Sequence, residues 1–343
     1  MNFGLSRALA RALACVLAVL LASPVLASPV LAADIKLGTL APKGSPWHKG
    51  LEDMAAEWAK ISQGKVRVRI FPGGHAGDEP DMIRKMRIGQ LHAVALTGAG
   101  LSRIAQEIQA LQMPMMFRSD AELDYVRGKM RAKLEGALAA KGVHVLNWVD
   151  AGWVYFFTQK PVVTPEDLKP LKLFAWAGET AHIAAWRAAG YNPVPLPATE
   201  IHTGLSSGLI NAVPTTPIAA LSNQWFGLAK HMTAVKWAPL LGGTVISKRG
   251  WRRMPAALRP RLLKAARDMG RRLQPEIRKL DEQAVAVMKK HGLAVHDVPA
   301  EVQDLWAAGA RRGYASVVGR IVPQAMVDEV ERLRDAYRAS GGK

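Results

Sequence analysis

The chain has 343 residues, with 46 Lys+Arg against 28 Asp+Glu and a formal net charge of +18. It is 49% hydrophobic, and its 30 Gly and 21 Pro follow no three-residue period, which excludes a disordered or collagen-like chain. The single Cys excludes a disulfide framework and any multi-cysteine metal site, and a mean hydropathy near zero argues against a polytopic membrane protein.

Residues 1–33 carry only Arg7 and Arg11 as charges, followed by an apolar run from Ala12 to Ala22 that is shorter than the roughly 20 residues a membrane span needs. Small residues follow at Val25-Leu26-Ala27 and at Val30-Leu31-Ala32-Ala33. A basic start, an apolar middle and a small-residue end predict a cleavable export signal, with cleavage at Ala33 and Ala27 as the alternative. Cys15 lies too close to Arg11 to be a lipidation site. The expected mature chain, 34–343, is free of cysteine, is not inserted in a membrane after cleavage, and is periplasmic.

Along the mature chain the hydrophobic period switches repeatedly between two and 3.6 residues. Ile35–Leu40, the strictly alternating Lys65-Val66-Arg67-Val68-Arg69-Ile70, Leu91–Leu96 and Val143–Val149 read as strands. Gly50–Ile61 and Asp81–Ile88 carry helical spacing; Asp78 is an N-cap with Pro80 just inside the helix, and Gly73–Gly77 is the loop before it. Trp153–Thr158 and Leu171–Trp176 read as further strands, separated by a capped turn at Thr164-Pro165-Glu166-Asp167. Thr199–Leu209 is expected to be helical, with Ile201, Leu205 and Leu209 on one stripe. Pro255–Gly292 reads as a helical region broken near Gly270 and Pro275, a further helix begins near Pro299, and Pro323 precedes the last one. Alternating strands and helices predict an α/β architecture of about two domains.

Residues 248–290 hold 14 Lys+Arg and 4 Asp+Glu. Their apolar neighbours Leu262, Leu263, Ala265, Ala266 and Met269 mark an amphipathic helix with a solvated basic face, so no nucleic-acid partner is expected; docking to an acidic partner stays open. The nine His form no metal-ligand pattern, and no G-x-S-x-G elbow or mature Cys supplies a nucleophile. Gly98-Ala99-Gly100 alone is a weak phosphate-binding signal. No enzyme, cofactor or metal site is expected.

Several segments resemble the periplasmic solute receptors of tripartite ATP-independent periplasmic (TRAP) transporters, the DctP-like family. They are Gln63-Gly64-Lys65, Phe71-Pro72-Gly73-Gly74, Gly77-Asp78-Glu79 and Gly89-Gln90-Leu91 in the first half. In the second half they are Thr164-Pro165-Glu166-Asp167-Leu168-Lys169 with Leu171-Lys172-Leu173, and the stretch from Glu200 to Asn211, which resembles the family's E-V-Y-x-A-L-Q-T-G-x-x-D. The resemblance covers essentially all of 34–340. It implies an α/β, two-lobed periplasmic binding protein fold with a ligand cleft between the lobes: 34–151 plus 241–280 as lobe I, and 152–240 plus 281–343 as lobe II. It also implies domain closure around a small organic molecule, and delivery to the small and large membrane subunits of an ion-gradient-driven permease.

The chain departs from that pattern where the family usually clamps a carboxylate. The position of the clamping Arg is Phe174, and the second Arg, after a Gly on the crossing strand, is Val154; the Asn of E-N-P corresponds to Thr215 and the Tyr of E-V-Y to His202. A carboxylate facing Phe174 and Val154 would lose its charge-assisted hydrogen bonds. The expected ligand is therefore relatively apolar or aromatic, lined by Trp47, Trp153, Phe174, Trp176 and Trp225, with Thr97, His202, Thr215, Thr216 and Asn223 as polar handles. Two alternatives remain: a carboxylate receptor using another Arg, such as Arg103 or Arg118, and a sensor or scaffold that presents its ligand to a sensor kinase.

Overall fold

A computed structural model describes residues 33–342; the expected signal segment and Cys15 lie outside the described residues. The strands, in chain order, are β1 (Ala33–Thr39), β2 (Val66–Phe71), β3 (Ala93–Thr97), β4 (Val143–Trp148), β5 (Gly152–Thr158), β6 (Lys172–Trp176), β7 (Asn192–Leu196), β8 (Ala212–Thr215), β9 (His231–Leu240), β10 (Gly242–Ser247) and β11 (Ala294–His296). They form two sheets, ordered β2-β1-β3-β10-β4 and β11-β9-β5-β8-β6-β7. β1 runs parallel to β2 and β3, and β6 runs parallel to β7 and β8, while β10 and β5 are antiparallel to their neighbours. Parallel pairs require crossover helices, which is why strand and helix alternate along the chain.

The helices begin where the local chemistry starts them. Ser45 caps Pro46–Ile61, with Pro46 in the first turn, and Leu51, Met54 and Trp58 form the buried stripe. Asp78 caps Glu79–Arg87 by accepting the Glu79 N–H at 2.8 Å, with Pro80 in the first turn as the spacing predicts. Thr164 and Asp167 complete a capping box on Pro165–Leu168.

Two chain segments pass between the sheets, Val149–Ala151 and Leu241, and they pair with each other. The Val149 N–H donates to the Gly242 carbonyl at 2.9 Å and the Ala151 N–H to the Leu240 carbonyl at 2.8 Å. Only glycine fits at 242, because a Cβ there would lie 2.2 Å from the Val149 carbonyl oxygen.

Three elements differ from the sequence reading. Arg259–Lys290 is one continuous helix through Gly270 and Pro275. Its apolar stripe, from Leu262 through Met269, Ile277 and Ala284 to Met288, is buried along the whole length, and that packing outweighs the lost donor of one proline. Gly270 marks close contact rather than a break: a Cβ would sit 2.9 Å from Asn147 Cβ and from the Trp148 carbonyl. Second, the segment expected as Thr199–Leu209 is a 3₁₀ turn, Ala198–Glu200, followed by Ile201–Ser206; Gly208 turns at φ +71° and leaves Leu209 48% exposed. Third, Gln324–Ala339 packs beside the first sheet rather than the second. Its Val327 and Val330 share a core with Val126 and Met130 of Asp120–Ala140, and Arg338 Nε donates to Glu122 Oε1 at 2.5 Å.

Candidate functional site

A cavity of about 480 Å³ lies between the two sheets. The first sheet and the helices packed on it contribute the end of β1 and its loop (Thr39–Lys43), Trp47, Glu79, Thr97 and Asn147. The second contributes Phe174, Trp176, Ile201, His202, Thr215, Asn223 and Trp225, and the long helix adds Met269 and Leu273. The volume falls in the range of small-molecule sites, and a mostly apolar wall with a few convergent polar groups is their usual character.

Phe174 and Trp176 stand two residues apart on β6 and therefore share a face; their rings meet edge-on, 5.6 Å between centroids at 66°. Trp47 lies in the first turn of its helix, and its indole N–H is buried without a hydrogen-bond partner. Among the described residues Lys43 is the only lysine lining the cavity, and no arginine lines it. Of the two arginines considered as substitutes, Arg103 donates from Nη2 to the Ala177 carbonyl at 2.6 Å, and Arg118 is exposed; neither lines the cavity.

Of the ten residues anticipated from the sequence, the structure brings Trp47, Thr97, Phe174, Trp176, His202, Thr215, Asn223 and Trp225 to this cavity, and it does not bring Trp153 or Thr216. Trp153 is buried at 5% exposure, donates its backbone N–H to Asp281 and lies under Lys236 Nζ, 5.2 Å from its ring. Thr216 is fully buried and caps Pro217–Ser222, its hydroxyl accepting the Ala219 N–H at 3.4 Å. Val154, like Trp153, lies on β5 outside the cavity wall.

Sequence reasoning passed over Glu79, the most unusual charge at the site. Its carboxyl is 1% exposed and accepts the Thr97 N–H at 2.5 Å and the Thr97 hydroxyl at 2.8 Å. Burial pushes its pKa up to about 7, against the lowering effect of those two bonds. The signal was present in Asp78-Glu79, an acidic pair at a helix start, but a helix-dipole role explains such a pair equally well. Glu179 and Asp281 are likewise raised to about 7 by burial. Among the described residues no group of acidic, His or Cys side chains is placed to hold a metal ion.

Two sheets joined by paired crossing segments, with a cavity lined from both, define a two-lobed solute-binding protein. The model of the bacterial extracellular solute-binding proteins, family 7 (DctP), matches residues 37–319, and the chain belongs to that family. It is 25% identical over 295 residues to the 2,3-diketo-L-gulonate-binding periplasmic protein YiaO of Escherichia coli, covering 85% of each chain. It is 24% identical over 275 residues to the C4-dicarboxylate-binding periplasmic protein DctP of Rhodobacter capsulatus, covering 79% of this chain and 82% of that one. The sugar acid binding protein DctPAm of Advenella mimigardefordensis, solved in complex with galactonate, has the same fold: TM-score 0.83 at 19% identity, covering 89% of this chain and 98% of that one. The family is one of periplasmic solute receptors that bind small organic molecules and work with TRAP permease components, not of enzymes. No helix among the described residues is long and apolar enough to cross a membrane.

Proposed function

We propose that this receptor captures a largely apolar or aromatic organic molecule and hands it to a TRAP permease after export directed by residues 1–33. The observation that carries the ligand class is the Phe174–Trp176 edge pair in a cavity wall that no arginine lines. Without a guanidinium fork, a desolvated carboxylate at that wall would go uncompensated. Aromatic faces at Phe174, Trp176, Trp47 and Trp225 favour a flat apolar body, and the unpartnered Trp47 N–H with Thr215 and Asn223 supplies the polar handles. The two sheets are the cores of the two lobes, 34–151 with 241–280 and 152–240 with the chain from 281, except that Gln324–Ala339 joins the first. Ligand-stabilised closure is a population shift between open and closed lobes.

A second reading rests on Lys43. Solved proteins of this fold hold galactonate and succinate, and a single ammonium at the cavity rim suits one carboxylate held as a point charge. Thermal unfolding against matched carboxylate and neutral ligands separates the two. A ligand at 100 times its dissociation constant adds about 2.7 kcal/mol, a visible shift. Stabilisation by the neutral member of each pair, reversed towards carboxylates in Phe174→Arg, is the expected result. Selective stabilisation by carboxylates that is lost in Lys43→Met overturns the apolar assignment in favour of the second reading.

A further inference from the structure

We propose that the chain carries a second binding site, for a phosphate-type oxyanion, in the cleft between the helices Asp120–Ala140 and Arg259–Lys290. This cleft has a volume of about 370 Å³ and adjoins the ligand cavity only through Asn147, which lines both. Arg127 and Arg131 line it from one helix and Arg267, Arg271 and Arg278 from the other, with Asp124 as the single acidic lining residue.

The arginines are partly engaged. Asp124 takes both Arg127 and Arg278, at 2.7 Å to each; Asp150 also takes Arg127; Glu135 takes Arg131 at 2.8 Å and Arg267 at 2.9 Å; and Asp268 takes Arg271. Those contacts do not exhaust the donors. The Nε of Arg267 and the Nε2 of Gln274 are buried with no hydrogen-bond partner, and Arg278 Nε lies 3.0 Å from Asp120 without hydrogen-bond alignment. Only one buried side-chain acceptor, Asp150 Oδ2, is left without a hydrogen bond in the same group. With Arg278 Nε ion-paired to Asp120, the Arg267 Nε–H and the two N–H of Gln274 stand against one oxygen, a deficit of acceptors that a tetrahedral oxyanion makes up, two of its oxygens matching a guanidinium fork. The cleft also has room at its wall: a Cβ added at Gly128 would meet no atom within 4 Å.

The test is calorimetric titration of the full mature chain with inorganic phosphate at constant ionic strength, in parallel with co-sedimentation on phosphatidylglycerol vesicles. Two variants accompany it. Gln274→Glu keeps the acceptor that holds the Asp150 N–H at 2.7 Å but replaces the free donor with a negative charge. Gly128→Leu fills the cleft from a helical position that gains helix propensity. Phosphate binding in the wild type that weakens about tenfold or more in both variants, with unfolding midpoints unchanged or raised, is the expected result. Vesicle binding lost in the same variants assigns the phosphate to a lipid headgroup; free phosphate binding without vesicle binding assigns it to a solute. No saturable phosphate binding, or binding that both variants retain, overturns the site and leaves the arginines as an internal ion-pair lattice.

Discussion

Asp78 Oδ2 accepts the backbone N–H of Ala198 at 3.0 Å, joining residues 120 positions apart, while Oδ1 of the same carboxylate caps the Glu79–Arg87 helix. One side chain thus starts a helix packed on the first sheet and holds the 3₁₀ turn that follows β7 of the second. In Asp78→Ala both bonds go, and the cap alone contributes about 1–2 kcal/mol, readable as a lowered urea midpoint. Asp78→Asn keeps an oxygen for the cap but turns an NH₂ towards the Ala198 N–H. Its stability should fall less, while ligand dissociation accelerates by stopped-flow. A wild-type dissociation rate in the Asn variant would remove this contact from the closure mechanism.

Glu79 makes stability fall as pH rises. Its folded-state pKa, about 7, lies above the ordinary value of 4.5, so the folded protein holds a proton that the unfolded chain has released. The stabilisation is fully present below about pH 4.5 and is lost as pH rises through about 7, amounting to about 3 kcal/mol. Glu79→Gln should flatten the curve over this window by close to one proton, because a neutral amide still accepts the Thr97 N–H and donates to its hydroxyl. An unchanged slope in denaturation from pH 4.5 to 7 would show that the carboxyl is ionised in the folded state.

Asp281 ties the long helix to the second sheet. Its Oδ1 accepts the Ile218 N–H at 3.0 Å and its carboxylate also takes the Trp153 N–H, directly against Gly152, where a Cβ would lie 2.7 Å from Oδ2. Asp281→Ala orphans two buried donors at about 1–3 kcal/mol each, so a loss of about 3 kcal/mol in chemical denaturation is expected. Gly152→Ala should be destabilised as well, since φ there is +108° and the added methyl meets the same carboxylate. Wild-type stability of Asp281→Ala would mean that water replaces both bonds.

Much of the fold was legible because its signals are local. Strand alternation in Val66–Phe71, the caps at Asp78 and Thr164 and the prolines just inside three helices act within a few residues, where side-chain periodicity and hydrogen bonding operate directly. The shared face of Phe174 and Trp176 follows from the two-residue period of a strand alone. Asp120–Ala140 went unread, although Leu123, Val126, Met130, Leu134 and Leu138 follow the Ser119 cap at helical spacing, because its many charges mask the stripe.

What the sequence by itself determined is most elements of the first half, the family resemblance and an aromatic strand without arginine at β6; the strands β7 to β11 carry no local signal strong enough to have been read. The tertiary structure decided which face of each element meets the cavity. Trp153 and Thr216 turn to packing and capping, while Glu79 becomes a wall residue, because those outcomes depend on how Val149–Ala151 and Leu240–Gly242, about ninety residues apart, pair between the sheets. It also decided that Gly270 and Pro275 lie within an unbroken helix and that Glu79 is buried deeply enough to keep its proton near neutrality. Local propensity is a sum over neighbours in the chain; burial, and with it charge state and cavity shape, is set by contacts between segments far apart in it.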